Sequence, residues 1–249
     1  MNKLKVSVSP HIHSGVTTQK IMLDVIIALV PAAVAGCIIF GIRSLFVMLT
    51  SVAAAVIAEL LFCLACKREI TIYDLSAVVS GLILALSLPV TMPLWQVAVG
   101  AVFAIIIVKC IFGGIGQNFA NPAVTARVFM IIAFSKTVAA TAVPKGVDAV
   151  SSATPLVILE GTAEGELPLI LDMLIGKRAG AIGETCVIAL VIGGIYLMIR
   201  RVISWHTPVA FVASTFVFIL IFTGDPKTAL YHNLLGGLFI GAIFMATDY

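Results

Sequence analysis

Residues 22–40 read M-L-D-V-I-I-A-L-V-P-A-A-V-A-G-C-I-I-F, and residues 44–66 read S-L-F-V-M-L-T-S-V-A-A-A-V-I-A-E-L-L-F-C-L-A-C. At about 1.5 Å of rise per residue, each run is long enough to carry a helix across the ~30 Å hydrocarbon core of a bilayer. The whole chain has this character: 61% of its 249 residues are hydrophobic, 11% are charged, and the mean hydropathy is +1.18. A soluble domain is roughly 45–50% apolar and about 25% charged. One globule cannot bury so much apolar surface, which excludes a soluble domain and a disordered chain. The runs are continuous rather than ten-residue alternating segments, so the fold class is an all-α polytopic membrane bundle, with the lipid bilayer as its surroundings. A net charge of +3 gives no footprint for nucleic acid. The five cysteines lack the spacing of a disulfide framework.

Working outward, helices are expected at about 22–40, 44–66, 75–88, 94–112, 122–135, 184–199, 207–223 and 230–247 of a single membrane domain, after a polar cytoplasmic arm at 1–21 that does not read as a cleaved signal peptide. The segments 75–88 and 122–135 make only about 21 Å of helix each, too short to span without irregular backbone. Broken helices at membrane depth are tolerated where they line a protein-buried site, which points to a cofactor or ion region. With the N-terminus inside, the inner face carries Lys3, Lys5, Lys20, Lys67, Arg68, Lys109, Arg200 and Arg201, and the short outer loops carry Arg43 and Lys227. Basic residues favour the cytoplasmic side, which supports this orientation. The long polar stretch 136–183 then lies outside and is a candidate site. Leu94-Trp95, Gly100 and Phe103 echo Leu230-Tyr231, Gly236 and Phe239 at an offset of 136, a weak internal repeat that the helix count makes parallel and that one further re-entrant segment would make inverted. An apolar helix running straight into Thr247-Asp248-Tyr249 is read as a truncated C-terminus.

Residues 148–156 read D-A-V-S-S-A-T-P-L. Ser152 and Ala153 leave room for an enzyme to approach Thr154, and Pro155 fixes the backbone after it; by itself the stretch also fits a plain Ser/Thr turn. The Asp-x-x-Ser-Ser-Ala-Thr pattern resembles the flavinylation motif read by an exported FMN transferase. G-G-I-G-Q-N-F-A-N-P-A at Gly113 to Ala123, L-S-L-P at Leu86 to Pro89 and L-G-G-L-F-I-G-A-I-F-M-A-T-D at Leu235 to Asp248 look like the same family. That family is the D subunit of the Rnf ion-translocating ferredoxin:NAD oxidoreductase, related to the B subunit of the sodium-pumping NADH:quinone oxidoreductase. Ser152 departs from it, where glycine is frequent.

The resemblance implies FMN in phosphoester linkage to Thr154, with Asp148, Ser151, Ser152 and Ala153 as the motif the transferase reads. It implies one component of a redox-driven pump in the bacterial inner membrane, not catalytic alone. The implied partners are the A and E membrane subunits, the G flavoprotein subunit, the peripheral B and C subunits, and the FMN transferase. The related sodium pump holds a second, noncovalent riboflavin, so a comparable site is expected here near Asn121 and Arg127. A rival reading is a cofactor-free solute channel or carrier built from broken-helix repeats.

Several residues are read on their own chemistry. Gly113-Gly114-Ile115-Gly116 follows a membrane helix, not a strand, and so is no dinucleotide fingerprint. Asn121 can cap the next helix, with Pro122 in its first turn. Arg127 lies inside a short helix, where an arginine is a functional candidate or reaches the interface. Glu59, about two turns inside its span, must pair, stay protonated or face a wet cavity, and is the candidate for an ion path. Asp24 and Asp74 are explained as helix-start charges. His206 and His232 are expected at helix starts. Cys63 and Cys66 share a helix face but lack further thiolates for a cluster, so no metal site is expected.

Overall fold

The computed structural model describes residues 17–140, 169–176 and 178–247. Among these the protein is helical. Helix α1 (Thr18–Phe40) and helix α2 (Ile42–Ala65) form a hairpin through Gly41, whose φ of 83° suits glycine. A 3₁₀ turn (Ile72–Asp74) leads through left-handed Leu75 into short α3 (Ser76–Leu86). Helix α4 (Leu94–Phe103) continues as a π-helix over Ala104–Cys110. Then come α5 (Pro122–Ala133), α6 (Ser135–Ala139), α7 (Ile170–Ile175), α8 (Val187–Ile199) and α9 (His206–Thr223). Helix α10 (Pro226–Leu234) and α11 (Leu238–Ile240, continuing as a π-helix over Gly241–Met245) meet at a 66° bend. Among the described residues α1, α2 and α9 are each long and apolar enough to cross a membrane.

Local chemistry explains the helix ends. The Thr17 hydroxyl accepts from the Lys20 amide at the start of α1. Asp74 Oδ1 accepts from the Ser76 amide and hydroxyl, as expected of a cap. Asp225 opens α10, where the Thr228 hydroxyl and then the Thr228 and Lys227 amides hold its carboxyl below the usual carboxylate range.

Small residues let the helices close in, as they do inside membranes. A Cβ on Gly81 of α3 would stand 3.1 Å from the Ser51 carbonyl and from Ala55 of α2, and Ser51 Oγ donates to the Gly81 carbonyl at 2.7 Å. Gly193 of α8 lies against the Ala28 carbonyl of α1 so closely that a Cβ would collide with backbone. Gly193→Ala is therefore expected to wedge α1 from α8 and cost about 1–3 kcal/mol, the usual range for overpacking. Thermal unfolding in detergent measures this, and an unchanged midpoint would show that the two helices part freely.

Asp24 is not merely a helix-start charge. Arg200 donates to its carboxylate through Nε and Nη2 at 3.2 Å, and Tyr196 Oη donates at 2.9 Å. This joins the end of α8 to the beginning of α1, so Asp24, Lys67, Arg68 and Arg200 share one face of the bundle. On the opposite face Arg43 donates to the Thr91 carbonyl, and Thr91 donates to the carbonyl of Ala140. Gly176, which ends α7, packs against Ile39 near the end of α1, again on the Arg43 face. The chain therefore leaves the described residues at Ala140 on the face opposite the basic one, and α7, where they resume, ends at Gly176 on that same face.

Four expectations need correction. Residues 230–247 are not one helix: Leu235, Gly236 (φ 67°) and Gly237 break it into α10 and α11. His232 consequently lies in the last turn of α10, not at a helix start. Lys109 is 2% exposed and does not belong in a loop count, because the i→i+5 turn of the π-helix adds a residue and swings it inward. The parallel offset fails as well: Leu94 opens α4, whereas Leu230 lies in the middle of α10. The arrangement seen instead is a hairpin, a left-handed residue and a short helix, first as α1–α2, Leu75 and α3, then as α8–α9, Gly236 and α11. Since α1 starts where α8 ends, the two sets run in opposite senses, as in inverted-repeat transporters.

Candidate functional site

Two polar centres lie where helices are broken. The first gathers around the end of α3, the segment before α8 and the α10–α11 bend. Residues 184–186, expected in a helix, are irregular, and the segment before them supplies partners for free carbonyls at and just after the end of α3: the Gly183 amide donates to Leu86 at 2.7 Å and the Ile182 amide to Leu88 at 3.1 Å. Irregular backbone at membrane depth is stable only with such replacement bonds. Glu184 follows directly and pairs with Arg127 of α5 at 2.5 Å. The pair sits over Gly237: a Cβ there would stand 2.7 Å from Glu184 Oε1 and 2.9 Å from Arg127 Nη1. Arg178 Nη2 donates to the Glu184 carbonyl at 2.5 Å.

Arg178 Nε and Thr185 Oγ1, both buried here, make no hydrogen bond among the described residues, and neither does Asn233 Oδ1 in the last turn of α10. Unsatisfied buried polar atoms are costly, and functional sites are where they are tolerated. Asn121 caps α5 as its sequence predicts: Oδ1 accepts from the Ala123 and Val124 amides at 2.9 and 3.1 Å, and Nδ2 donates to the Met245 carbonyl at 3.3 Å. It thereby fastens α5 to the π-helical end of α11. Gly113, Gly114 and Gly116 all have positive φ, so this run is a turn feeding that cap.

The second centre is Glu59. Its carboxylate, 1% exposed, accepts from Lys109 Nζ at 2.7 Å and from Thr71 Oγ1 at 2.7 Å. Lys109 Nζ also donates to Ser76 Oγ at 2.5 Å. Of the outcomes open to Glu59, it pairs, and it also lines a cavity. Its Oε2 makes no hydrogen bond among the described residues, and the carboxylate lines a cavity of about 220 Å³ with Cys63, Arg68, Thr71, Cys110 and Gly113. Arg68 donates to the Cys110 carbonyl at this cavity, on the face that carries Lys67. The two centres share a framework, since α5 with Arg127 packs on the π-helix with Lys109. Cys63 lies against Thr71 and Cys66 is exposed; no group of three or more His, Cys, Asp or Glu that could hold a metal occurs among the described residues.

The sequence-predicted residues thus divide. Arg127 and Asn121 lie in one neighbourhood, and Glu59 has its own. Asp148, Ser151, Ser152, Ala153 and Thr154 lie outside the described residues. Sequence reasoning misses Glu184 and Arg178 and gives Lys109 no site role. A glutamate directly before an apolar run, and a lysine directly after one, were the available signals.

The chain was compared with known proteins. The model of the NQR2, RnfD, RnfE family matches residues 5–249. The chain is 42% identical, over 100% of its own length and 79% of the relative's, to the D subunit of the Na(+)-translocating ferredoxin:NAD(+) oxidoreductase complex of Acetobacterium woodii. It is 41% identical, over 99% and 79%, to the D subunit of the proton-translocating ferredoxin:NAD(+) oxidoreductase complex of Clostridium ljungdahlii. It is also 35% identical, over 76% of its length and 50% of the relative's, to the B subunit of the Na(+)-translocating NADH-quinone reductase of Neisseria meningitidis. A helical membrane protein with broken helices around paired charges, this chain belongs to the NQR2, RnfD, RnfE family.

Proposed function

We propose that the chain is the membrane flavoprotein subunit of a redox-driven ion pump of the bacterial inner membrane, with FMN in phosphoester linkage to Thr154. As part of an assembly with the A and E membrane subunits, the G flavoprotein subunit and the peripheral B and C subunits, it serves electron transfer between ferredoxin and NAD coupled to movement of Na+ or H+. The observation that carries the reading is the D-A-V-S-S-A-T stretch, toward which the chain leaves at Ala140 on the face opposite the basic one. An exported FMN transferase works on that face. Threonine has no redox chemistry, so Thr154 is a tether, and the flavin, when bound, supplies the electron-transfer chemistry.

The same reading gives the two polar centres their work. Around Arg127, the buried Arg178 Nε and Thr185 Oγ1 have no hydrogen-bond partner among the described residues, and this neighbourhood is where a noncovalent flavin such as riboflavin is proposed to bind. Asn121 would act there by holding α5, because its amide is committed to the cap and to Met245. Glu59, with a free Oε2 at a cavity on the inner face, is the group proposed to meet the transported ion.

The direct test is fluorescence of the denatured band. The chain made in its own membrane with the transferase present should be yellow and fluoresce under ultraviolet light; a colourless chain would favour the carrier reading. Orientation is tested separately. A cysteine placed at Lys145 should react with a membrane-impermeant thiol reagent on intact cells, and labelling only after lysis would reverse the orientation and remove the transferase argument.

A further inference from the structure

The hydrogen bonding at Glu59 extends beyond its ion pair. Thr71 Oγ1 and Lys109 Nζ both donate to the same carboxylate oxygen, Oε1, at 2.7 Å. Oε2 is left without a hydrogen bond among the described residues, at the cavity that Glu59 lines. On its other side Lys109 Nζ donates to Ser76 Oγ at 2.5 Å, and Ser76 Oγ donates to Asp74 Oδ1 at 2.6 Å. A hydroxyl has one hydrogen, so Ser76 gives it to Asp74 and meets the ammonium with a lone pair. Thr71, Glu59, Lys109, Ser76 and Asp74 therefore form one hydrogen-bonded chain, drawn from α2, the turn before α3, the start of α3 and the π-helix.

This chain holds two carboxylates and one ammonium, so it is one positive charge short. The cavity wall does not supply it: Arg68 and Glu69, both exposed there, offset each other, and exposed Lys67 is not on the wall. A buried carboxylate oxygen without a donor is costly, and one monovalent cation at Oε2 would satisfy it and balance the chain. A divalent ion would overshoot, and Mg2+ gives up its waters reluctantly. The cavity of about 220 Å³ has room for an ion with several waters, at about 30 Å³ each.

We propose that this cavity is a site for one monovalent metal cation such as Na+, bound at Glu59 Oε2, and that Asp74 is a positioning residue for it. Through Ser76, Asp74 compensates the Lys109 ammonium while the charge of Glu59 serves the ion. Without Asp74, Lys109 would claim that charge for itself, and the ion would stand beside an uncompensated ammonium. The site rests on the role proposed above for Glu59 and adds the class of the ion and the group that keeps Lys109 from displacing it.

The test is thermal unfolding of the full-length chain in sodium, magnesium or N-methylglucamine chloride at equal ionic strength. Na+ should raise the wild-type midpoint in a saturable way, because a ligand of the folded chain stabilises it by mass action. Mg2+ and the bulky organic cation should not. The Na+ effect should vanish in the double variant Glu59→Gln with Lys109→Met. Asp74→Asn keeps an Oδ1 for the Ser76 amide and hydroxyl, so the helix start survives. It should nevertheless need roughly tenfold more Na+ for half its shift, the order expected for one charge lost a few hydrogen bonds away. Ser76→Ala cuts the relay but leaves the backbone cap, should weaken Na+ likewise, and carries the test if Asp74→Asn does not fold. A wild type indifferent to Na+, or one that responds equally to Mg2+, would overturn the cation site. Unchanged Na+ dependence in folded Asp74→Asn or Ser76→Ala, with the response lost in the double variant, would overturn the role of Asp74 and leave that of Glu59 standing. A response that persists in the double variant would remove Glu59 itself from the site.

Discussion

Thr154→Val is expected to give a chain that inserts, accumulates and carries no covalent flavin. Valine keeps the branched shape and deletes only the hydroxyl, the one atom through which a phosphoester can form. The sequence predicts a loop outside the hydrocarbon here, where such a change usually costs under ~0.5 kcal/mol, so the chain should persist without its flavin. Thr154→Ala should behave in the same way. Ser151→Ala and Ser152→Ala leave the acceptor oxygen in place and should keep at least part of the flavin. Pumping should fail in the Thr154 variants because one carrier is missing. A fluorescent denatured band of Thr154→Val at the right mass would show that the attachment residue is wrong.

The second large effect is expected at Glu59 and Lys109. Removing one partner of a buried ion pair strands the other, which costs about 3–5 kcal/mol. Lys109→Met leaves a carboxylate that is 1% exposed with only Thr71 to bond it, and Glu59→Gln leaves the Lys109 ammonium with Ser76 and an amide. Both single variants should therefore accumulate poorly. The double variant Glu59→Gln with Lys109→Met strands no charge and should recover much of the loss, so the two changes should be strongly non-additive in the cycle. Flavin attachment should survive in all that insert, since the chain leaves toward the attachment motif at Ala140, on the face opposite this pair. Coupled ion transport should remain low in the recovered double variant. Wild-type transport by that variant would leave the pair a purely structural role.

How much of this could be read beforehand depends on what each feature requires. Helices α1, α2 and α9 were legible because about twenty consecutive apolar residues have one stable form in a bilayer. The cap at Asn121 was legible because a short polar side chain ahead of an apolar run has one good use. The α10–α11 break was not, since Leu235-Gly236-Gly237 sits inside a run that a continuous helix would also tolerate. Lys109 looked like a loop residue because only the π-helical turn rotates it onto Glu59. Arg127 was visible as an intramembrane charge, yet Glu184, its partner, lies 57 positions along the chain, and tertiary pairing at that distance leaves no periodicity to read. The attachment motif at 148–154 was legible through its resemblance alone, and it lies outside the described residues.

The central claim is that this chain carries FMN on Thr154, and intact-mass analysis of the chain purified from its own membrane tests it most directly. The expected result is a single species heavier than the bare polypeptide by FMN less the water lost in forming the phosphoester, with the added mass confined to the peptide containing Ser151 to Pro155. A chain at the mass of the bare polypeptide, from cells in which the transferase is active, would contradict the account.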